Sequence, residues 1–474
     1  MKKLRSVLLL LLGICFYAYK PVQANIYPQA KETGRTAPAA KKKAAPLIKR
    51  AIIVAGQSNT TSGAGDVILP PDFAQRRMSQ LGRNDENFNE IPLTFYGVHH
   101  ITRYTDRASF ASMFCYYYYD LLKTQNPGAD IQLLLIPAGA GGSGWSDSQY
   151  PYNSWRTDTN YFRDVVTRIK WAKNAGYQID GFLWHQGEAD AAAGTHYYHQ
   201  ILCNFIQSMR EHVGNPALPF VLGQMMPAWV AEDPARAGYQ SVIDGIPNQV
   251  PYTYTVPANN LSSNYGDLIH FSAAAQYELG KRYYDGFLSA RNNSSPSGYT
   301  VPPSGQSLLL NHNVAGGLFN NTLDAIGQND DNPSHNVHSR LGEIWKFKNS
   351  DGYYHFKLVV VAGGSLTNTY FEWKQRYSPF AMSDAFVEER ADKKIIGNTL
   401  GIDTTINSQG FASLVYYSTR SGVPTTTLFH GDIRYRNASW WLSVGAIQSY
   451  QGRLPIKDDG QNSVTHIRLY AIKE

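Results

Sequence analysis

Between Lys49 and Ser289, short apolar runs alternate with longer segments in which apolar residues recur every three or four positions. The apolar runs are typical of buried strands: "RAIIVAG", "IQLLLIPAG", "IDGFLWH", "PFVLGQM" and "VPYTYTV". The longer segments have helical spacing: "SFASMFCYYYYDLLKTQ", "YFRDVVTRIKWAKNAG", "HYYHQILCNFIQSMREHVG" and "SAAAQYELGKRYYDGFLSA". Strands that are apolar throughout and alternate with helices indicate a parallel sheet covered on both faces. We therefore predict a three-layer α/β/α domain with a mainly parallel sheet at residues 48–290.

The pattern changes after Arg291. Residues 291–307, rich in Ser, Gly, Pro and Asn, are predicted to be a linker that few contacts cross, so that the first domain folds without the second. Residues 308–474 contain short alternating segments separated by turn residues, which predicts an all-β accessory domain arranged as a sandwich. Its tryptophans could stack on sugar rings and bind glycan, although core packing is the commoner use: Trp345, Trp373, Trp440 and Trp441.

The first 47 residues have the pattern of an export signal and a linker. "MKKLRS" is basic, Val7 to Tyr19 is uncharged, and "VQA" ends at Ala24 in small residues. The apolar run is too short to anchor in a bilayer, so residues 1–24 are predicted to be a removed signal peptide, which leaves no membrane span. Residues 25–47 are predicted to be a basic flexible linker. We expect a periplasmic or secreted protein, with Cys115 and Cys203 able to form one disulfide.

Charge is concentrated in the same N-terminal segment. The 474 residues carry a formal net charge of +6, but residues 1–50 hold eleven Lys or Arg and one acid. The rest of the chain carries 32 basic and 36 acidic side chains. Binding of nucleic acid through a basic face is therefore disfavoured.

Four unusual loops follow the predicted strands. The first contains Gly56 to Asn59, and the others are "PAGAGGSGWSD" at 137–147, "WHQGEAD" at 184–190 and "NYGDLIHFS" at 264–272. Ligands bind beyond the carboxyl ends of parallel strands, so these loops are expected to meet at one edge of the sheet.

These loops supply the groups that an activated serine nucleophile needs. Ser58 would attack, His270 would act as general base, and Asp267 would orient the imidazole from the same turn. The glycine-rich loop and Gln186 would donate to the oxygen that becomes negative in a tetrahedral intermediate. Each feature alone is commonly a turn, a cap or a surface residue. Their joint position after strands of one domain predicts a hydrolase.

The segments "AGQSN", "GGS", "WHQGEAD" and "DLIHFS" resemble the SGNH-hydrolase superfamily. Within it, they are most similar to the sialate O-acetylesterases and carbohydrate esterase family six. The resemblance covers about residues 49–290. It implies an SGNH, flavodoxin-like α/β/α fold and hydrolysis of acetyl esters on sugars.

The resemblance also implies roles for individual residues. Ser58 would be the nucleophile and form an acetyl-serine intermediate, with Asp267 and His270 completing the triad. Gln186 stands where other superfamily members carry Asn. The oxyanion and substrate-binding group would be Gly142, Gly141, Gln186 and Asn59. Glu188 and Asp190 would shape their loop. The chemistry would need no metal or cofactor, and the partner would be an O-acetylated carbohydrate.

Other polar groups fit less specific roles. His99, His100, His196 and His199 could be zinc ligands, but surface or pocket-rim positions are favoured because no carboxylate or cysteine completes a site. Arg103 or Arg107 could bind the carboxylate of a sialic acid, although solvated surface arginines are more common. The alternative function is a carbohydrate-binding or adhesion protein built on a catalytically weak SGNH scaffold.

Overall fold

In the computed structural model, a seven-stranded sheet lies at the centre of the first part of the chain. The structure describes residues 45–60, 70–84, 87–93, 109–145, 154–156, 160–264, 266–319, 324–381, 392–400, 429–435, 438–444 and 464–474. Its strands are β1 (Leu47–Gly56), β2 (Met78–Asn84), β3 (Asn87–Pro92), β4 (Asp130–Pro137), β5 (Gln178–His185), β6 (Phe220–Gly223) and β7 (Thr253–Val256). The order is β3-β2-β4-β1-β5-β6-β7, and all neighbours are parallel except β2 and β3. The predicted mainly parallel sheet is confirmed.

Helices cover both faces of this sheet. They are α1 (Phe110–Gln125), α2 (Asn160–Asn174), α3 (Glu188–Ala193), α4 (Tyr198–Val213), α5 (Pro227–Ala231), α6 (Pro234–Gly245) and α7 (Ala273–Asn292). Phe287 of α7 lies where a side chain on Gly181 would point, whereas Phe182 contacts Phe205 of α4. Successive residues of a strand face opposite sides, so α7 and α4 cover opposite faces of β5. The three layers follow from this arrangement.

The position of β1 in the sheet determines where a ligand can bind. The chain places β2 and β4 on one side of β1 and β5 on its other side, so the strand order reverses beside β1. At such a point the loops leave the sheet in opposite directions and open a crevice beyond the carboxyl ends of the strands. Ser58 follows β1 directly and therefore lies at this crevice.

The second part of the chain is built on antiparallel strands, as predicted. Two short strands, β8 (Ser263–Asn264) and β9 (Asp267–Phe271), still belong to the first part of the chain. The strands of the second part are β10 (Gly305–Asn313), β11 (Val337–Ser339), β12 (Tyr354–Ala362), β13 (Tyr370–Gln375), β14 (Lys393–Asn398), β15 (Phe429–Tyr435), β16 (Ala438–Val444) and β17 (His466–Lys473). A sheet of six strands has the order β11-β10-β17-β12-β13-β14, and β15 pairs with β16. A short helix, α8 (Asp324–Gly327), precedes β11. The sandwich arrangement stays a prediction.

The expectation that few contacts cross residues 291–307 is wrong. Polar side chains on the outer face of α4 donate to carbonyl oxygens of the β-rich part: Asn204 Nδ2 to Gly342 O (2.6 Å), Ser208 Oγ to Phe380 O (3.0 Å) and His212 Nε2 to Ala381 O (2.8 Å). These residues recur at helical spacing, a pattern that in the sequence indicates a solvated face. The assignment of residues 308–474 to an accessory domain stays a prediction.

Glu211 is a buried acid at this interface. Its carboxylate accepts hydrogen bonds from Lys348 Nζ (2.9 Å), Tyr354 OH (2.8 Å) and the backbone N–H of Ser378 (2.8 Å). Only 2% of the Glu211 side chain is exposed. Gln207 Nε2 of α4 donates to it as well (3.1 Å). A buried carboxylate is tolerated only when hydrogen bonds replace its hydration, and here most of these donors come from the β-rich part.

The two cysteines of the first part are buried as free thiols. Burial raises the pKa of Cys115 and raises that of Cys203 to about 12. Both side chains therefore remain protonated thiols and pack as small apolar groups. Among the helices described, none combines the length and the apolar content that crossing a bilayer requires.

We expect Glu211→Ala to lower the free energy of unfolding by at least about 2 kcal/mol, because it leaves several buried donors without their charged acceptor. Urea denaturation followed by fluorescence measures the change. The control is Glu278→Ala, which removes an exposed ion pair with Arg282 on α7 and should cost less than about 0.5 kcal/mol. Equal midpoints for the two variants would show that the Glu211 contacts do not stabilise the fold.

Candidate active site

A sharp turn after β1 presents Ser58. Gly56 has φ of +128°, and a Cβ atom there would lie 2.1 Å from the carbonyl oxygen of His185, so only glycine fits. The same carbonyl accepts a hydrogen bond from the backbone N–H of Gln57 at 2.9 Å. One turn of 3-10 helix, Ser58–Thr60, follows. The end of β1 is thereby fixed to the end of β5, and Ser58 begins the turn in which the chain leaves the sheet.

The loop with Asp267 and His270 forms strand β9, which pairs with β8 and ends where Ser272 caps α7. Asp267 Oδ1 accepts hydrogen bonds from the backbone N–H groups of Ile269 (2.9 Å) and His270 (3.2 Å). An aspartate that bonds backbone N–H groups two and three residues ahead forms an Asx-type turn. This local turn brings the Asp267 and His270 side chains to the same side of the strand.

Ser58, His270 and Asp267 form one hydrogen-bonded chain. His270 Nε2 lies 2.7 Å from Ser58 Oγ, and His270 Nδ1 bonds Asp267 Oδ2. Partial burial opposes ionisation of Asp267, but the hydrogen bonds from His270 and from backbone N–H groups lower its pKa below the ordinary value. The ionised carboxylate requires a proton on Nδ1, which leaves Nε2 free to accept the serine proton.

The side chain of Asn59 is fully buried and does not face the substrate space. Its Nδ2 donates to Glu188 Oε1 (2.8 Å) and to the carbonyl of Ile269 (3.0 Å), and its Oδ1 accepts from the backbone N–H of Phe271 (3.2 Å). The inclusion of this side chain in the substrate-binding group is therefore not supported. Asn59 instead joins the serine turn to the strand that carries His270.

Glu188 completes this connection from the start of α3. The side chain is 1% exposed, and burial raises the pKa of its carboxyl. Glu188 Oε2 has no hydrogen-bond partner among the described residues, and His185 Nε2 lies 3.9 Å from Oε1. Burial lowers the pKa of His185 to about 3, so this histidine is neutral and supplies no charge to Glu188. Asn59 is thus the side-chain donor that Glu188 depends on.

The amide of Gln186 is directed into the protein. Its Nε2 donates to Asp190 Oδ2 (2.6 Å) and to the carbonyl of Ser143 (3.3 Å), and its Oε1 accepts from Tyr198 OH (3.2 Å). Asp190 in turn accepts from the backbone N–H of Trp145 (3.0 Å). Both N–H bonds of the amide are used within the protein, so donation to a substrate would require leaving these acceptors. In this arrangement Gln186 and Asp190 hold the glycine-rich loop.

Gly141 and Gly142 lie beside the nucleophile. A Cβ atom on Gly141 would be 3.8 Å from Ser58 Cβ, whereas one on Gly142 would meet nothing within 4 Å. Both residues are exposed, and Gly142 has φ of +68°, which few other residues adopt. A backbone N–H close to Ser58, without a side chain in front of it, is what an oxyanion donor needs.

The structure describes only some of the remaining predicted groups. His196 and His199 are separate from the serine chain, and in the described ranges no three His, Cys, Asp or Glu side chains are arranged to hold a metal ion. Trp345 and Trp373 are buried in the β-rich part. His99, His100, Arg103 and Arg107 lie outside the described residues, and so do the side chains of Trp440 and Trp441.

Sequence reasoning missed Gln276, a buried residue that supports the serine turn. Its Nε2 donates to the carbonyl of Asn59 (3.0 Å), and its Oε1 accepts from the backbone N–H of Phe110 (3.0 Å). The signal was present in α7, where Gln276 lies on the same buried face as Ala273 and Leu279. A polar residue on an apolar helical face needs buried partners.

We expect Asn59→Ala to slow covalent labelling of Ser58 by phenylmethylsulfonyl fluoride by roughly 10- to 100-fold, because His270 loses its fixed distance from the nucleophile. Mass spectrometry of intact protein measures the rate. Asn292→Ala, an exposed change on α7, is the control and should label like the parent. A folded Asn59→Ala protein that labels at the parental rate would contradict the positioning role.

About half of the chain matches a known protein family. The sequence model of the family described as "Carbohydrate esterase, sialic acid-specific acetylesterase" matches residues 49–289, more than half of the chain. A search of curated proteins found no match. Among solved structures, the crystal structure of NanS has 19% sequence identity and a TM-score of 0.41, and the match covers 52% of this chain and 98% of NanS.

Two further solved structures are each similar to about half of the chain. A protein from Arabidopsis thaliana has 20% identity and a TM-score of 0.41, and the match covers 51% of this chain and 98% of that protein. A carbohydrate acetylesterase from Xanthomonas citri has 14% identity and a TM-score of 0.37, and the match covers 56% of this chain and 65% of that protein. The extent of the family match decides the assignment: the chain belongs to the carbohydrate esterase family described as sialic acid-specific acetylesterases.

Proposed function

We propose that this protein removes O-acetyl groups from a carbohydrate through an acetyl-Ser58 intermediate. The observation that carries the proposal is the hydrogen-bonded chain from Ser58 Oγ through His270 to Asp267 at the carboxyl edge of the sheet. Serine alone is a poor nucleophile at neutral pH, and this chain supplies the base and the group that orients it. The family to which the chain belongs acts on acetylated carbohydrates, and a sialic acid is the sugar that its description favours.

In the first half of the reaction, Ser58 Oγ attacks the acetyl carbonyl carbon while its proton passes to His270 Nε2. The carbonyl oxygen becomes negative and is stabilised by a backbone N–H of the glycine-rich loop. We assign this role to Gly141 first, because it lies nearest Ser58, and to Gly142 as the alternative. The bond between the acetyl carbon and the sugar oxygen then breaks, and His270 returns the proton to the departing sugar hydroxyl.

In the second half, water attacks the acetyl-serine. His270 Nε2 takes a proton from the water, the tetrahedral intermediate collapses, and the proton passes to Ser58 Oγ as acetate leaves. Asp267 remains ionised throughout and stabilises the imidazolium that forms in each half.

We expect Ser58→Ala and His270→Ala each to lower kcat for p-nitrophenyl acetate by several orders of magnitude, because either change removes the activated hydroxyl. Asp267→Asn should have a milder or equal effect, and double variants should be far from additive. The control is Ser241→Ala, an exposed serine on α6, which should retain full activity. Hydrolysis by the parent no faster than by Ser58→Ala would favour a carbohydrate-binding protein instead.

Release of acetate from acetylated sialic acids, acetylated xylan and other O-acetylated glycans would then identify the sugar. Comparable rates on all of them would argue against specificity for a sialic acid.

We also propose that the protein is exported, on the basis of the basic start, the apolar run and the small residues before Asn25. Expression in a bacterial host followed by fractionation should give protein outside the cytoplasm that starts at Asn25, as measured by N-terminal sequencing. Replacing Leu9 to Leu12 by Gln should keep the protein in the cytoplasm with its N-terminus uncleaved. Mature protein found in the cytoplasm with Met1 or Lys2 at its start would contradict the proposal.

A further inference from the structure

Two buried polar groups face each other behind the serine turn. They are the imidazole of His185, the last residue of β5, and the carboxyl group of Glu188, the first residue of α3. His185 Nε2 lies 3.9 Å from Glu188 Oε1, and neither side chain is exposed. Within the part of the chain that the structure describes, His185 Nε2 and Glu188 Oε2 have no hydrogen-bond partner. Buried polar atoms are normally satisfied, so this pair needs a physical explanation.

The other ring nitrogen of His185 determines which tautomer is present. Tyr283 OH donates to the carbonyl of Trp184 (2.9 Å), and the same hydroxyl oxygen lies 2.9 Å from His185 Nδ1. A hydroxyl has one proton, and the carbonyl takes it, so Nδ1 carries the hydrogen that joins the imidazole to Tyr283. Burial lowers the pKa of His185 to about 3, so the ring holds no second proton. His185 Nε2 therefore presents a lone pair toward Glu188.

An ionised Glu188 would place a negative charge against this lone pair. The two groups would repel each other, and burial leaves little water to screen the repulsion. A proton on the carboxyl group reverses the interaction, because the space then holds one hydrogen-bond donor and one acceptor.

Asp190, the second acid of α3, has different surroundings. Its Oδ2 accepts a hydrogen bond from Gln186 Nε2 (2.6 Å), and its Oδ1 accepts from Thr195 Oγ1 (2.6 Å) and from the backbone N–H of Trp145 (3.0 Å). Donors on both oxygens are what an ionised carboxylate requires. The side-chain donor to Glu188, in contrast, is Asn59 on Oε1 alone.

The groups that face Glu188 compensate a negative charge only in part. Burial raises the pKa of its carboxyl, and this effect exceeds the opposing influence of Asn59, of His270 on β9 and of backbone N–H groups at the start of α3. Tyr198 of α4 and Tyr283 of α7 also lie within electrostatic range, and burial raises the pKa of both hydroxyls, so both remain neutral.

From this arrangement, we propose that Glu188 is a positioning residue that holds the triad as an uncharged carboxylic acid, with its proton on the side that faces His185. In this form it still accepts the hydrogen bond from Asn59 and keeps the serine turn joined to β9. It also adds no buried negative charge near Ser58, where such a charge would oppose the oxygen that becomes negative during attack. The inference rests on the proposed function, because it concerns the site at which Ser58 would react.

The test is urea unfolding of the full-length protein at a series of pH values from about 5 to 7, with Glu188→Gln compared with the parent. An unfolded chain releases the Glu188 proton above about pH 4.3, whereas the folded protein keeps it. Folding of the parent therefore takes up a proton and weakens as the pH rises, and folding of the amide variant does not share this loss. We expect the ratio of the folding equilibrium constants, variant over parent, to rise by about tenfold per pH unit until Glu188 ionises in the folded protein.

Two acids serve as controls for this measurement. Glu278→Gln, an exposed change in an ion pair with Arg282, and Asp190→Asn should each give a ratio that does not change with pH, because both acids are ionised in folded and unfolded protein. A total rise of less than about tenfold for Glu188→Gln would overturn the proposal. Failure of this variant to fold would also overturn it, since an amide is the closest uncharged match to the acid.

Hydrolysis of p-nitrophenyl acetate adds a readout that a loss of packing would not move. We expect the acid limb of the kcat/KM pH profile to lie at the same pH in Glu188→Gln and in the parent, whatever the change in kcat. A displaced limb would contradict the proposal, because it would show that the substitution removes a charge that acts on His270. No hydrolysis by the parent, together with the expected pH dependence of unfolding, would count against the proposed function alone.

Discussion

The buried amide of Asn59 is the interaction on which the candidate active site depends. It bonds the carboxyl group at the start of α3, the carbonyl of Ile269 and the N–H of Phe271. The serine and the histidine are 212 residues apart in the chain, and neither is held by its own segment alone. A side chain with both donors and an acceptor can join two backbone segments in fixed register, which an apolar residue of the same size cannot do. The hydrogen bonds of Asn59 therefore set the distance between Ser58 Oγ and His270 Nε2.

The acids of "WHQGEAD" show how a polar motif becomes a scaffold. Glu188 accepts a hydrogen bond from Asn59. Asp190 accepts hydrogen bonds from Gln186, from Thr195 and from the backbone N–H of Trp145. These carboxyl groups are almost fully buried, which is costly unless hydrogen bonds replace their water. Hydrogen bonds from a different loop around the serine offset this cost for each carboxyl group, and they fix that loop in place. Removal of one acceptor would leave several buried donors unsatisfied, so the loops are held together as a unit.

Helix α4 connects this site to the rest of the chain. One face packs through Phe205 against Phe182 and Trp184 of β5, and the other bonds the β-rich part through Asn204, Ser208 and Glu211. Its beginning lies beside Gln186, and its end lies beside a groove that residues of both parts of the chain line. A helix buried on both sides makes the two parts of the chain one packing unit, and the groove is the space left where their surfaces diverge.

The sequence by itself determined the α/β/α layers, the strand ends and the residues that meet there. Apolar runs with two periodicities specify strands and helices locally, and parallel strands bring their carboxyl ends to one edge whatever the loops contain. Ser58, Asp267 and His270 could be selected for this reason. The orientation of Asn59 and Gln186 could not, because an amide bonds equally well to substrate or to protein. The environment of Asn204 and Ser208 on α4 was also ambiguous, because polar residues at helical spacing can face either water or a second sheet. Only the tertiary structure decided these points, because the partners of a polar side chain are set by what packs against it.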